Sequence, residues 1–119
     1  HSRPDGDCVG AMLGMRRVVE CLGISEVHCS SSDFVYENFG LLSGYSEIGD
    51  RPVYGGGVGD LVIYVDCENR DRVFPGWEVV GGIVNIDHHR GNTRFGGVNI
   101  VDETASSTCE IVYQMVVDG

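Results

Sequence analysis

Carboxylates and imidazoles crowd three separated stretches of this 119-residue chain. The first, His1-Ser2-Arg3-Pro4-Asp5-Gly6-Asp7, puts one imidazole and two carboxylates within seven residues, and Pro4 and Gly6 favour a tight loop that can turn both carboxylates toward one point. The second is Asp66, and the third is Asp87-His88-His89. Collected in one pocket, such groups would repel one another and lose hydration unless positive charge were supplied. A pair of divalent cations supplies it. Hard oxygen ligands mixed with imidazole suit Mn²⁺, Fe²⁺ or Zn²⁺ better than Ca²⁺, and with no closely spaced cysteine pair Mn²⁺ is favoured, Mg²⁺ or another divalent ion being the alternative. Two metals about 3.5 to 4 Å apart can share a carboxylate, ionise a water, clamp a phosphate and steady its leaving oxygen. The chemistry implied is phosphoester hydrolysis.

The elements that must position these groups can be read from the apolar pattern. Ala11, Met12, Met15, Val18, Val19 and Leu22 recur at steps of three and four, which predicts an amphipathic helix over residues 8–22, closed by Gly23. Residues 24–29 are short and β-prone, and the polar run Ser30-Ser31-Ser32-Asp33 reads as a turn and cap before a short helix over 34–39. Residues 43–59, rich in Gly and holding Pro52, read mostly as loop. Leu61-Val62-Ile63-Tyr64-Val65 is a near-continuous apolar run typical of a parallel strand buried on both faces, with Asp66 at its carboxyl end. A second run over 79–86 delivers Asp87-His88-His89, and a weaker one over 98–101 leads into Asp102-Glu103. A last helix from about Ser107 carries Ile111, Val112, Met115 and Val116 on one face, and Ser107 with Glu110 has capping-box spacing. Strands alternating with helices imply an α/β fold with a mostly parallel β-sheet flanked by helices. In such open sheets the site lies beyond the carboxyl ends of the strands, so the three clusters should converge.

Taken singly, each cluster also has a plain structural reading. Asp66 could be a turn or cap residue, Asp87-His88-His89 a strand exit with a solvated histidine, and His1 to Asp7 a polar helix entry with Asp7 near the N-cap. Their joint placement after separate strands favours a shared site. His28, between Val27 and Cys29, has no such company and reads as structural.

The composition sets the frame. With 18 acidic residues against 8 Lys and Arg the formal charge is −10, which argues against sequence-independent nucleic-acid binding, since that is driven by cationic side chains. At 42% apolar and 22% charged residues, the chain can bury the core of one domain, residues 1–119. The odd set Cys8, Cys21, Cys29, Cys67 and Cys109 reads as free thiols in a reducing cytoplasm. No stretch approaches the about 20 apolar residues that span a bilayer, and the polar start is no signal peptide, so a soluble protein without a membrane partner is expected.

The ordered set of motifs resembles the DHH family of phosphoesterases, specifically the subgroup of nano-RNases and phosphoadenosine-phosphate phosphatases. His1 to Gly10 is similar to that family's first motif, Val65-Asp66 with Arg72 to its second, and Asp87-His88-His89 to the motif that names it. Asn92, Phe95-Gly96, Ala105-Ser106-Ser107-Thr108 and Glu110 continue the pattern. The resemblance implies a Rossmann-like domain in which His1, Asp5 and Asp66 hold one metal and Asp7, Asp66 and His88 the other, with Asp66 as the bridge. It implies that Asp87 orients a neighbour and that His89 faces the scissile phosphate, the two forming the catalytic pair. Separately, Ser106, Ser107 and Thr108 at a helix N-terminus could offer N–H groups to a substrate anion, with ordinary capping by Ser107 as the alternative.

Against the family pattern, the strand before His1, a later aspartate of the second metal's shell and the substrate-binding second domain are all missing, so a domain truncated at both ends is expected. The expected function is hydrolysis of short oligoribonucleotides, 3′-phosphoadenosine 5′-phosphate or dinucleotides by two Mn²⁺ ions. A manganese pyrophosphatase of the same superfamily and a non-catalytic metal- or nucleotide-binding module are the alternatives. The partner is then a nucleotide or short oligonucleotide, and a homodimer is compatible with this reading.

Overall fold

A computed structural model describes residues 4–33, 35–51 and 57–119. Helix α1 spans Gly6–Cys21. Its N-cap is Asp5, whose carboxylate accepts the Cys8 N–H at 2.9 Å, so the cap lies two residues before the Asp7 position offered by the sequence reading. Asp7 falls in the first turn, turned away from capping. At the other end Gly23 adopts φ +91°, and Ile24 N–H reaches Val19 O at 3.4 Å while Gly23 N–H reaches Glu20 O at 3.0 Å. This is a Schellman ending, which requires the left-handed conformation that glycine adopts without strain.

Two parallel sheets follow. Strand β1, Cys29–Ser30, pairs with β2, Ile48–Gly49. Strands β3, Leu61–Val65, β4, Gly82–Asp87, and β5, Val98–Val101, form a three-stranded parallel sheet in the order β3-β4-β5. Helix α2, Thr108–Asp118, is capped by Ser107, whose hydroxyl accepts from Glu110 N–H. The fold is the expected α/β arrangement of parallel strands and helices.

Several boundaries differ from the sequence reading. The first β segment shrinks to two residues, and the stretch read as loop contains β2 and a 3₁₀ turn at Tyr45–Glu47. Strands of two residues carry no alternation to detect. The short helix is a 3₁₀ turn at Glu37–Phe39; Phe34 and residues 52–56 lie outside the described residues. β3 is not covered on both faces: Leu61 is 58% exposed, and burial concentrates at Tyr64, which is 6% exposed. Among the described residues β3 occupies one edge of its sheet, with no strand paired on that side of its amino end. Val116, expected on the buried face of α2, is exposed, whereas Ile111 and Val112 are buried.

Small residues bring the two helices together. A Cβ on Gly10 would lie 2.8 Å from Cys109 Sγ, and one on Gly14 3.3 Å from Val112 Cγ1, so a larger residue at either position would push the facing α2 side chain aside. The crossing lays the N-terminus of α2 against Asp7. Behind β3, Tyr64, Cys67 and Val73 form a core cluster with Val62, Phe74, Trp77, Ile83 and Phe95, and Tyr64 meets Phe95 edge-on at 5.1 Å. The turn between β4 and β5 is equally tight. A Cβ on Gly96 would meet Val98 O at 2.5 Å and Asn85 N at 3.1 Å, both of them backbone. Gly96→Ala is therefore expected to destabilise the domain by about 2–3 kcal/mol, read as a lowered urea midpoint; an unchanged midpoint would show that the turn can relax. Among the described residues no helix is long and apolar enough to cross a membrane.

Candidate metal centre

The parallel register sets the carboxyl ends of β3 and β4 side by side. Val65 pairs with Ile86, and one residue later Asp66 N–H donates to Ile86 O at 2.9 Å. Asp66 adopts φ +55°, a left-handed conformation that aspartate tolerates better than most side chains but that still costs energy. The turn drives its carboxylate inward, where it is 2% exposed and accepts a hydrogen bond from Thr108 Oγ1 at 3.0 Å.

Asp7 meets the same threonine from the other side. Its carboxylate accepts the backbone N–H groups of Thr108 at 2.9 Å and Cys109 at 2.8 Å. These donors open α2 and have no partner within the helix, so a negative charge is favoured there by both hydrogen bonding and the helix dipole. The helix N-terminus that could have received a substrate anion thus holds Asp7. Ser107 caps α2, and the N–H and hydroxyl of Ser106 both donate to Glu110 Oε2, so the capping box closes one residue earlier than its spacing suggests. The two serines offered as substrate-binding residues serve the helix start.

β4 delivers the remaining groups. His88 Nδ1 lies 3.3 Å from Ala105 O, a carbonyl that can only accept, and Nε2 faces Asp7 Oδ2 at 3.4 Å and Asp66 Oδ1 at 3.7 Å. A carbonyl behind one ring nitrogen and carboxylates before the other is the usual setting of a metal-ligating histidine. His89 Nδ1 is 2.7 Å from Asp87 Oδ1 and 3.7 Å from Asp66 Oδ1. The ligand atoms of Asp66, His88 and His89 lie within 4.8 Å of one another. Asp87 is fully buried and accepts from His88 N–H, His89 and Asn92.

The electrostatics follow from this crowding. Burial, reinforced by the charge of Asp7, pushes the Asp66 carboxyl up to about 7 against the opposing Thr108 hydrogen bond. Burial also acts upward on Asp7, but the Cys109 and Thr108 N–H groups outweigh it and hold that carboxyl below its ordinary value. Desolvation works against protonating His89, yet the hydrogen bond and charge of Asp87 prevail and its pKa is raised. A divalent cation between Asp7, Asp66 and His88 would relieve the repulsion, and the donor set of oxygen and imidazole fits one.

The structure therefore brings Asp7, Asp66, Asp87, His88 and His89 together. Asp5 sits exposed at the helix cap, near enough for its charge to raise the Asp66 pKa. His1 lies outside the described residues. A cavity of about 70 Å³ beside the cluster is lined by Asp66, Glu68, Arg72 and His89 among others, with Arg72 paired to Glu68 at 3.0 Å. The sequence offers Thr108 only as a possible N–H donor to an anion and Asn92 only as part of the family pattern; neither the Thr108 bond to Asp66 nor the Asn92 bond to Cys67 O is legible there. Their partners lie 42 and 25 residues away, and no local pattern announces such contacts.

Comparison with known proteins places this geometry. Residues 1–118 match the family described as the DHH family, N-terminal domain. The chain belongs to the DHH family. It is 33% identical over 116 residues to the bifunctional oligoribonuclease and PAP phosphatase NrnA of Thermus thermophilus, covering 98% of this chain and 34% of that protein. It is 27% identical over 124 residues to the NrnA of Bacillus subtilis, covering 100% of this chain and 37% of that protein. An exopolyphosphatase-related protein from Bacteroides fragilis superposes with a TM-score of 0.82 at 21% identity, over 97% of this chain and 36% of that one. This DHH domain thus spans about a third of the length of the relatives it matches.

Proposed function

We propose that this chain is the catalytic domain of a manganese-dependent phosphoesterase acting on short oligoribonucleotides or 3′-phosphoadenosine 5′-phosphate. The observation that carries the reading is the convergence of Asp7, Asp66 and His88 from three elements, with His88 Nδ1 against Ala105 O and Nε2 turned toward both carboxylates. The names of the NrnA relatives support the substrate class.

In this reading His1, Asp5 and Asp66 hold one cation and Asp7, Asp66 and His88 the other. The two ions, when bound, supply Lewis acidity toward phosphate oxygens and an ionised water as nucleophile. The chain's own part is positional. Thr108 holds Asp7 and Asp66 at a common edge, Asp87 fixes the ring of His89, and His89 faces the phosphate with Nε2. In this reading residues 1–119 serve as the DHH catalytic domain. The unpaired cysteines are in keeping with a cytoplasmic setting.

The direct test is product release by the full-length protein with Mn²⁺, comparing 3′-phosphoadenosine 5′-phosphate, a short RNA and pyrophosphate. Turnover of the first two is expected. Turnover of pyrophosphate alone would assign the pyrophosphatase activity instead, and metal binding without turnover would leave a binding module. Thr108→Val, which removes the hydroxyl donated to Asp66 and keeps the backbone N–H on Asp7, is expected to weaken Mn²⁺ binding about 10–100-fold by calorimetry. Thr108→Ser should retain it.

A further inference from the structure

We propose that Asn92 is a positioning residue that fixes the orientation and tautomer of His89 through Asp87, an inference that rests on the phosphoesterase reading for its effect on turnover. Asn92 lies in the loop between β4 and β5. One of its amide protons goes to Asp87 Oδ2 at 2.7 Å, and the other to Cys67 O at 3.2 Å, the carbonyl directly after Asp66. Its carbonyl oxygen accepts from Asn85 Nδ2 at 2.8 Å and from Arg94 N–H at 2.7 Å. Two donors and two acceptor sites are all used, which exhausts the capacity of an amide. The Arg94 N–H can only meet an oxygen, and the carboxylate and carbonyl on the other side can only meet N–H groups, so the orientation of the amide is determined by its partners.

The consequences run in two directions. Toward β4, the bond to Oδ2 stops the buried Asp87 carboxylate from rotating, and its Oδ1 is then held for His88 N–H and His89 Nδ1. Because a carboxylate oxygen can only accept, His89 Nδ1 must carry a proton, and the ring is oriented with Nε2 pointing away from Asp87. Toward β3, Asn92 and the adjacent Thr93, whose N–H and hydroxyl both reach Glu68 O, tie this loop to the peptides that follow Asp66. Arg94 adopts φ +51°, a strained conformation that its N–H bond to Asn92 helps to hold. Aspartate at this position has no proton to give Asp87, and alanine makes none of the four bonds. A residue needed only to shape the loop would have no reason to engage the Asp87 carboxylate.

The test uses the full-length protein labelled with ¹⁵N in histidine, as wild type, Asn92→Ala and Asn92→Ser. In the wild type the His89 signals should report the Nδ1-protonated ring. In both variants they should move toward the Nε2-protonated form, while kcat on 3′-phosphoadenosine 5′-phosphate falls about 10–100-fold and KM is little changed. Unchanged His89 nitrogen signals in a folded variant, or a raised KM with kcat kept, would overturn the proposal. If neither variant folds, the wild type decides: Asn92 side-chain amide protons that exchange as slowly as core backbone amides support it, and rapid exchange overturns it. A wild type that hydrolyses no phosphoester removes the functional reading, yet the His89 signals in Asn92→Ala still decide the role of Asn92.

Discussion

Asp66→Ala is expected to lower hydrolysis by about 10³-fold or more and to abolish tight Mn²⁺ binding, which calorimetry on the full-length protein would read as a loss of stoichiometry. Asp66 stands where the exits of β3 and β4 meet, within 3.7 Å of both His88 and His89 and sharing Thr108 with Asp7. No other carboxylate among the described residues is placed to touch all of these. Its removal would leave the Thr108 hydroxyl without its acceptor and would open the gap that both proposed cation positions use. Retention of wild-type Mn²⁺ affinity by a folded Asp66→Ala variant would remove the bridging assignment, and the two-metal reading with it.

The second expectation is the reverse of the usual cost of mutation: metal-free Asp66→Asn should be more stable than the metal-free wild type at pH 8. The folded Asp66 carboxyl, pushed up to about 7, binds its proton more tightly than the unfolded one at its ordinary value of 3.8. Between these values the native state carries a proton that the unfolded state has lost, so stability falls as pH rises from about 4 to 7 and levels off above. The full shift corresponds to an upper bound of about 4 kcal/mol, and relaxation around the site reduces it to about 1–3 kcal/mol. Asp7, with its lowered pKa, acts in the acid range below this window, where its contribution is lost. His89, with a raised pKa, adds to the fall on the alkaline side, so the difference between wild type and variant is the quantity to measure. Urea midpoints of both proteins without metal should diverge from pH 5 to about 7 and stay apart at pH 8. Parallel curves would show that Asp66 ionises in the folded state as freely as in water. Saturating Mn²⁺ should restore the wild type and leave the variant unmoved, because the same buried charge that weakens the empty site is what a cation would neutralise.

Much of this fold is written in local patterns. The steps of three and four in α1, the apolar run of β3, the strand that ends on Asp87 and the Ser107 cap of α2 each depend on side chains a few positions apart, and the structure realises them with small shifts in boundary. The elements missed were those too short to have a period: β2, with two residues, exists because β1 lies beside it. The cap of α1 shows the limit within a local motif. Asp5 and Asp7 are both plausible caps by type, and Asp5 takes the role while Asp7 is committed to the start of α2 about a hundred residues on.

The sequence by itself determined which ionisable groups stand at strand ends, and hence which carboxylates and imidazoles would meet at that edge. Tertiary structure alone decided how those groups are held. The α1–α2 crossing gives Asp7 its N–H donors, Thr108 joins Asp7 to Asp66, and Asn92 spans the exits of β3 and β4. The physical reason is that a hydrogen bond is selected by distance and angle in three dimensions, whereas hydrophobic periodicity is a property of consecutive residues that survives without knowledge of any partner.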